Sequence, residues 1–233
     1  MPNNQQKSSE LAKKIAALPP EKRRLLEQKL QQKKAKSVKG TIPPRANFND
    51  LPLSYAQQRL WILDRLDTDS STYNIPIAWN FTGDLSPQIL QQTLSTIVDR
   101  HESLRTTFIE KEGKAFQVIN TTEDLEAQSD TILNVIDQQN ITEKTSKEEI
   151  DRLIKSEISK PFDLTKKCFR FVLIKINATK NILLLVFHHI IADGWSRGIL
   201  LKEFTLLYKS FLTGKQINLA PLPIQYGDFA VGQ

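Results

Sequence analysis

The sequence has a single cysteine, Cys168, among its 233 residues. That excludes an intramolecular disulfide and any cysteine-based zinc site. No run approaches the roughly 18 apolar residues of a membrane-spanning helix. The first ten residues, MPNNQQKSSE, lack the apolar core of a secretory signal. The expectation is a cytoplasmic chain with no membrane partner. Aromatic residues are missing from residues 1–40, although this stretch holds eleven Lys/Arg against three Asp/Glu. Residues 41–233 hold 21 against 23, so the net charge of +6 belongs to the basic N-terminal segment. Nucleic-acid binding calls for a basic face with aromatic or motif support, and no nucleic-acid partner is expected here. The apolar fraction of 39% is too high for general disorder and large enough to build a core.

Two regions are expected. Residues 1–44 read as a basic helical lead-in and linker with a thin apolar stripe (Leu11, Ile15, Leu18, then Leu25, Leu26, Leu30), ending at Gly40, Pro43 and Pro44. Such a segment is either a solvated helix or a docking element for another polypeptide. Residues 45–233 alternate helix-like and strand-like segments. Ser54 can cap a helix running to about Leu66 that buries Tyr55, Leu60, Ile62 and Leu63. Tyr73 to Thr82 reads as a strand. Ser86-Pro87 opens a helix with Leu90, Leu94, Ile97 and Val98 on one face. Residues 105–109 and 114–119 flank Glu112-Gly113 as a hairpin. Residues 121–145 are polar and poorly patterned. A further helix follows to Ser159, then strands at 169–176 and 182–187. The second of these is apolar on both faces and reads as a covered central strand. The last long helix runs from Gly194 to about Leu212. The order implies a mixed α/β layer fold.

The chemistry-bearing residues cluster. His101 lies in Arg100-His101-Glu102-Ser103-Leu104-Arg105, and the other two histidines lie in His188-His189-Ile190-Ile191-Ala192-Asp193-Gly194-Trp195-Ser196. The latter segment leaves a covered strand, turns, and enters a helix, where α/β folds place functional side chains. Asp193 can simply cap that helix, and Gly194 can simply permit an unusual backbone angle. Consecutive strand residues point to opposite faces, so His188 and His189 do not grip one metal ion, and no metal is expected. Ser196 is not in a nucleophile elbow, and Cys168 has no neighbouring histidine in sequence. The pattern also suits acyl transfer without a covalent intermediate, one histidine facing substrate as proton acceptor or positioner and the other facing the core. Parity does not say which faces out.

The segment His188 to Gly194 matches the H-H-x-x-x-D-G motif, and the chain resembles nonribosomal peptide synthetase condensation domains. Three more blocks follow the family's order: Leu53-Ser54-Tyr55-Ala56-Gln57-Gln58-Arg59-Leu60-Trp61, Arg100 to Phe108, and Tyr226-Gly227-Asp228-Phe229-Ala230. The resemblance implies the N-terminal lobe of a chloramphenicol-acetyltransferase-like fold, truncated after its fourth block and lacking the C-terminal lobe. It implies amide formation between an upstream aminoacyl or peptidyl thioester and a downstream aminoacyl amine. Both substrates ride on the phosphopantetheine of peptidyl carrier partners, and the chain itself binds no cofactor. By motif, His189 is catalytic, with His188, Asp193 and Gly194 beside it, and Arg100, Arg105, Trp195 and Ser196 are supporting. Gly194 lets the turn approach the thioester, and Asp-Gly-Trp-Ser resembles the condensation rather than the epimerisation type. Gly232 stands where the family usually has Trp. The lobe alone is expected to be inactive. Two other readings are a non-catalytic lobe or docking module of a synthetase, and a stand-alone O-acyltransferase of the same superfamily.

Overall fold

Strand β7 (Lys180–His188) is the axis of the larger sheet. From Asn181 to His188 every residue is buried, because a strand lies on each side and helices cover both faces. In this computed structural model, which describes residues 42–47, 50–129, 131–138 and 146–233, β2 (Asn74–Thr82) pairs antiparallel with β7 from Asn74↔His188 to Thr82↔Lys180. On the other side β6 (Phe169–Lys175) pairs antiparallel from Phe169↔Phe187 to Lys175↔Asn181. Strand β5 (Leu133–Asp137) then adds parallel to β6, giving the order β2-β7-β6-β5. A smaller sheet has the order β1-β4-β3, from β1 (Leu51–Pro52), β4 (Lys114–Ile119) and β3 (Thr106–Lys111). Glu112 and Gly113 join β3 to β4 with φ of 53° and 75°, the left-handed pair that a two-residue hairpin requires.

Helix α1 (Tyr55–Leu66) starts at a capping box between Ser54 and Gln57. Its expected apolar face forms only in part: Leu60 is half-buried against the core and Leu63 is half-buried, but Tyr55 and Ile62 are exposed, and the one fully buried residue is Gln57. The inner side of α1 meets a polar network, described below, which selects a glutamine there. Helix α2 (Pro87–Arg100) follows its reading: Ser86 accepts from the Ile89 N–H at 3.3 Å, Pro87 lies in the first turn, and Leu90, Leu94, Ile97 and Val98 are buried.

The polar stretch 121–145 hides two elements. Helix α3 (Thr122–Ser129) is capped reciprocally, Asp124 N–H to Thr121 Oγ1 at 3.1 Å and Thr121 N–H to Asp124 Oδ2 at 3.0 Å. It buries Leu125. Strand β5 corrects the reading of this stretch as unpatterned. It is an edge strand with a mostly open face, and pairing with β6 makes it a strand rather than its own alternation.

Side-chain parity divides the larger sheet. Trp79 and Phe81 lie on one face and touch Phe204 of α5 (Ser196–Thr213) at ring distances of 4.9 and 6.1 Å. Helix α2 packs beside α5 on this face. Asn74, Arg170 and His188 lie on the other face, under α4 (Ser146–Ser159). There Asn74 Nδ2 donates to Ile158 O at 2.7 Å, and Arg170 Nη1 donates to Glu157 O at 2.7 Å.

A buried ionic cluster joins three distant segments. Arg45 Nη1 lies 2.8 Å from Asp228 Oδ1, and Arg45 Nη2 lies 2.7 Å from Glu102 Oε2. Asp228 belongs to the short helix α6 (Tyr226–Val231). A Cβ on Gly227 would lie 2.9 Å from Arg45 Nη1 and 3.3 Å from its Cζ. Arg45 is held by both carboxylates, so a shift of the guanidinium lengthens one of these ion pairs. Gly227→Ala is therefore expected to destabilise the chain by about 1–3 kcal/mol, as overpacking does. Denaturant unfolding checks this, and an unchanged midpoint would mean the guanidinium yields freely. The lead-in helix expected within residues 1–40 lies outside the described residues.

Candidate functional site

The end of β7 sorts the two histidines. His188 is still in the ladder: its N–H donates to Cys168 O at 2.9 Å, and the residue is 2% exposed. The next N–H, of His189, donates to Tyr73 O at 2.8 Å, and the His189 side chain emerges exposed on the opposite side. Residues 190–195 then turn into α5. The polypeptide thus presents one histidine outward and buries the other directly behind it.

His188 Nδ1 accepts from the Ile190 N–H at 3.2 Å, which leaves the ring proton on Nε2. Nε2 lies 4.0 Å from Asp64 Oδ1. Tyr73 and Phe162 wall the ring, at 6.2 and 6.3 Å between centroids. Burial, with a smaller effect from His189, lowers the His188 pKa to about 4. His188 is therefore a neutral ring at neutral pH and a structural partner of the turn. Burial raises the Asp64 carboxyl, partly offset by Arg65.

Asp193 closes the turn. Its Oδ1 accepts from the N–H groups of Trp195 and Ser196, both at 3.0 Å, and from Ser196 Oγ at 2.9 Å. The Asp193 N–H donates back to Ser196 Oγ at 3.1 Å. Burial opposes the Asp193 charge, but these bonds outweigh it and hold the carboxyl below its usual range. Gly194 has no positive φ, and a Cβ there would meet nothing within 4 Å. An unusual backbone angle is thus not the reason for glycine at this position. Trp195 is 87% exposed.

The two arginines act elsewhere. Arg100 Nε donates to Glu203 Oε1 at 3.0 Å and Nη2 to Ala220 O at 2.7 Å, while His101 Nε2 shares Glu203 Oε2 at 2.6 Å. Arg105 Nη1 donates to Asn120 O at 2.8 Å. Neither guanidinium hydrogen-bonds to residues 188–196. Arg100 fastens α2 to α5, which carries the turn. A cleft opens beside the turn, with buried Ile77, Ile97, Phe187 and Leu200 and the more exposed His101 and Asp193 in its lining. Cys168 is buried, and burial pushes its thiol up, against nucleophilic use. Among the described residues no three His, Cys, Asp or Glu side chains could hold a metal ion together, and no helix is long and apolar enough to cross a membrane.

The remaining blocks converge behind this turn. Ser54 Oγ lies 2.9 Å from Tyr226 Oη. Gln225 Nε2 donates to Arg100 O at 3.0 Å. Buried Gln57 reaches Ile190 O at 3.3 Å. A family model described as Condensation domain matches residues 47–233. The chain belongs to the condensation-domain family. It is 44% identical over 201 residues to a linear gramicidin synthase polypeptide of Brevibacillus parabrevis, covering 85% of this chain and 4% of that polypeptide. It is 39% identical over 198 residues to chondramide synthase cmdD of Chondromyces crocatus, covering 82% and 5%. Among solved structures it resembles the starter condensation domain of rhizomide synthetase, with a TM-score of 0.66 at 22% identity, covering 75% of this chain and 42% of that one. The first condensation domain of the CDA synthetase gives 0.63 at 20%, covering 72% and 42%. This condensation-domain chain thus spans about two-fifths of those solved chains and a small fraction of the synthetases. Its mixed α/β architecture is the chloramphenicol-acetyltransferase-like one of condensation-domain structures.

Within this condensation-domain chain the buried histidine makes stability depend on pH. The unfolded ring titrates near 6.5 and the folded ring near 4. Between those values the unfolded state binds a proton that the folded state does not, so stability is full above about 6.5 and is lost as pH falls toward 4. The loss is on the order of 3 kcal/mol. In His188→Asn the Asn Oδ1 stands in for Nδ1 and does not titrate, so this slope is expected to flatten. Unfolding free energies of both proteins across pH 4–7 check it, and parallel curves would overturn it.

Proposed function

We propose that this chain supplies the histidine-bearing lobe of a peptide-bond-forming condensation domain, acting on two carrier-bound thioesters. The observation that carries the reading is the asymmetry of the turn: a neutral, buried His188 braces it, and His189 projects from it. The acceptor amine attacks the donor thioester carbon, the C–N bond forms, and the C–S bond breaks. The pantetheine thiolate leaves, and the proton lost by nitrogen ends on sulfur. An α-amine has a pKa near 8, so a useful fraction is already neutral at physiological pH. His189 then orients the amine, takes its proton as the C–N bond forms, and steadies the tetrahedral intermediate. Asp193 holds the turn through its cap. Supporting the carrier partners is the kinship to synthetases, whose substrates in this reading are tethered upstream and downstream.

Gly194 supports substrate approach, since nothing in the fold itself opposes a side chain there. Gly194→Ala is expected to leave the melting temperature unchanged and to slow amide formation by about tenfold, because a misplaced reacting centre is costly even at small displacements. The deciding experiment loads donor and acceptor carriers with aminoacyl thioesters and assays the synthetase polypeptide in which this lobe is completed. A dipeptidyl acceptor carrier, seen by intact-mass spectrometry, supports the reading. Carrier binding without turnover would replace it with a docking module, and an ester product with an O-acyltransferase.

A further inference from the structure

We propose that Gln57 is a positioning residue for His189, holding the backbone of the turn from α1. The inference rests on the reading of His189 above and names a residue outside the H-H-x-x-x-D-G motif. The backbone around His189 is tied down at three points. The His189 N–H donates to Tyr73 O at 2.8 Å, the Ile190 N–H to His188 Nδ1 at 3.2 Å, and Gln57 Nε2 to Ile190 O at 3.3 Å. The peptide that follows His189 is thus bound through its N–H, and the carbonyl of Ile190 is bound as well.

The Gln57 amide has one possible orientation here. Its Oε1 accepts from the Ser54 N–H at 3.0 Å, so Nε2 faces the other way and serves both Gln117 Oε1, at 3.2 Å, and Ile190 O. Gln57 and Ile190 are 2% and 3% exposed, so water does not substitute for a lost donor. A third-position residue that served only the helix cap would work equally well as glutamate, the other residue of the capping box. Gln57 differs because its second half donates, and an ionised glutamate has nothing to donate.

That difference supplies the test. Gln57→Glu keeps the cap and loses the donor when ionised. Hydrogen exchange on the full chain at pH 8, where the glutamate is ionised, needs no substrate. The expected result, relative to wild type at the same pH, is about tenfold faster exchange at the Ile190 and Ile191 amides, ahead of any change at the β6 amides. In the completed synthetase, kcat relative to wild type falls by about tenfold at pH 8, with the KM for carriers unchanged. Ile174→Val, a core truncation at the far end of β6, controls for lost stability. Wild-type exchange in the turn at pH 8 would overturn the proposal. So would exchange at β6 rising in step with Ile190, which is what a general loss of stability gives. If His189→Ala leaves amide formation intact, the functional reading fails, while the exchange data still decide what Gln57 holds.

Discussion

His189→Ala is expected to cut amide formation by about 10²- to 10⁴-fold, the range spanned by a single proton-transferring group. The melting temperature is expected to stay at its wild-type value. The two halves of this prediction have one cause. Among the described residues the His189 ring has no hydrogen-bond partner, and its contribution to the fold passes through its N–H, which alanine retains. His188→Ala is the opposite case. It opens a cavity between Tyr73 and Phe162 and strands the Ile190 N–H, so stability falls together with activity. Intact-mass assays of loaded carriers, run beside thermal melts, separate the two. A His189→Ala protein with the wild-type rate would sink both roles given to this ring, proton acceptor and positioner. Retention of the rate near pH 9 with loss near pH 7 would mean that the ring deprotonates the ammonium before attack, since the amine is already neutral at the higher pH.

The largest expected loss of stability comes from Arg45→Met. The Arg45 side chain is 3% exposed, and the side chains of Glu102 and Asp228 are 13% and 7% exposed. Methionine fills similar space and leaves two carboxylates without their shared cation. Removing one partner of a buried ion pair costs about 3–5 kcal/mol, which for a chain of this size lowers the melting temperature by roughly 10 °C. Burial works against the Asp228 charge, but the N–H groups of Gln225 and Arg45, together with the Arg45 guanidinium, hold its carboxyl below the usual range. The stability this contributes is present above the unfolded pKa near 3.8 and is lost as pH falls through the lower folded value. A double-mutant cycle with Asp228→Asn measures the pair directly. A coupling below about 1 kcal/mol would place the cluster with screened surface pairs.

These two predictions differ in how visible their residues are before folding. His189 stands in a dense motif on a strand-to-helix turn and is found by reading along the chain. Arg45 is an arginine near a Pro-Pro pair, and its carboxylates lie 57 and 183 residues away. No local pattern connects them. The helix α2 was legible from cap, proline and apolar face together. Helix α1 was legible in extent but only partly in burial, because Leu60 packs on the apolar core while Gln57 beside it meets a buried polar network. Strand β5 was not legible, since an edge strand borrows its conformation from the neighbour that pairs with it. The Thr121–Asp124 box that starts α3 was present in the sequence, and its helix is short enough for the polar surroundings to mask it.

The amino-acid sequence by itself determined the mixed α/β class, the central strand, the hairpin and the cluster of residues that carries the motif. These depend on periodicity and on turn chemistry, both of which act over a few residues. Only the tertiary structure decided which histidine faces out, where Arg100 and Arg105 spend their charge, and what Gln57 holds. A strand apolar on both faces carries no parity signal, so the outward side of His189 is set by β2, which pairs with β7 as far as His188, and by α4, which covers the His188 face. The partners of Arg100, Glu203 and Ala220, lie 103 and 120 residues along the chain, a distance across which sequence pattern carries no contact information.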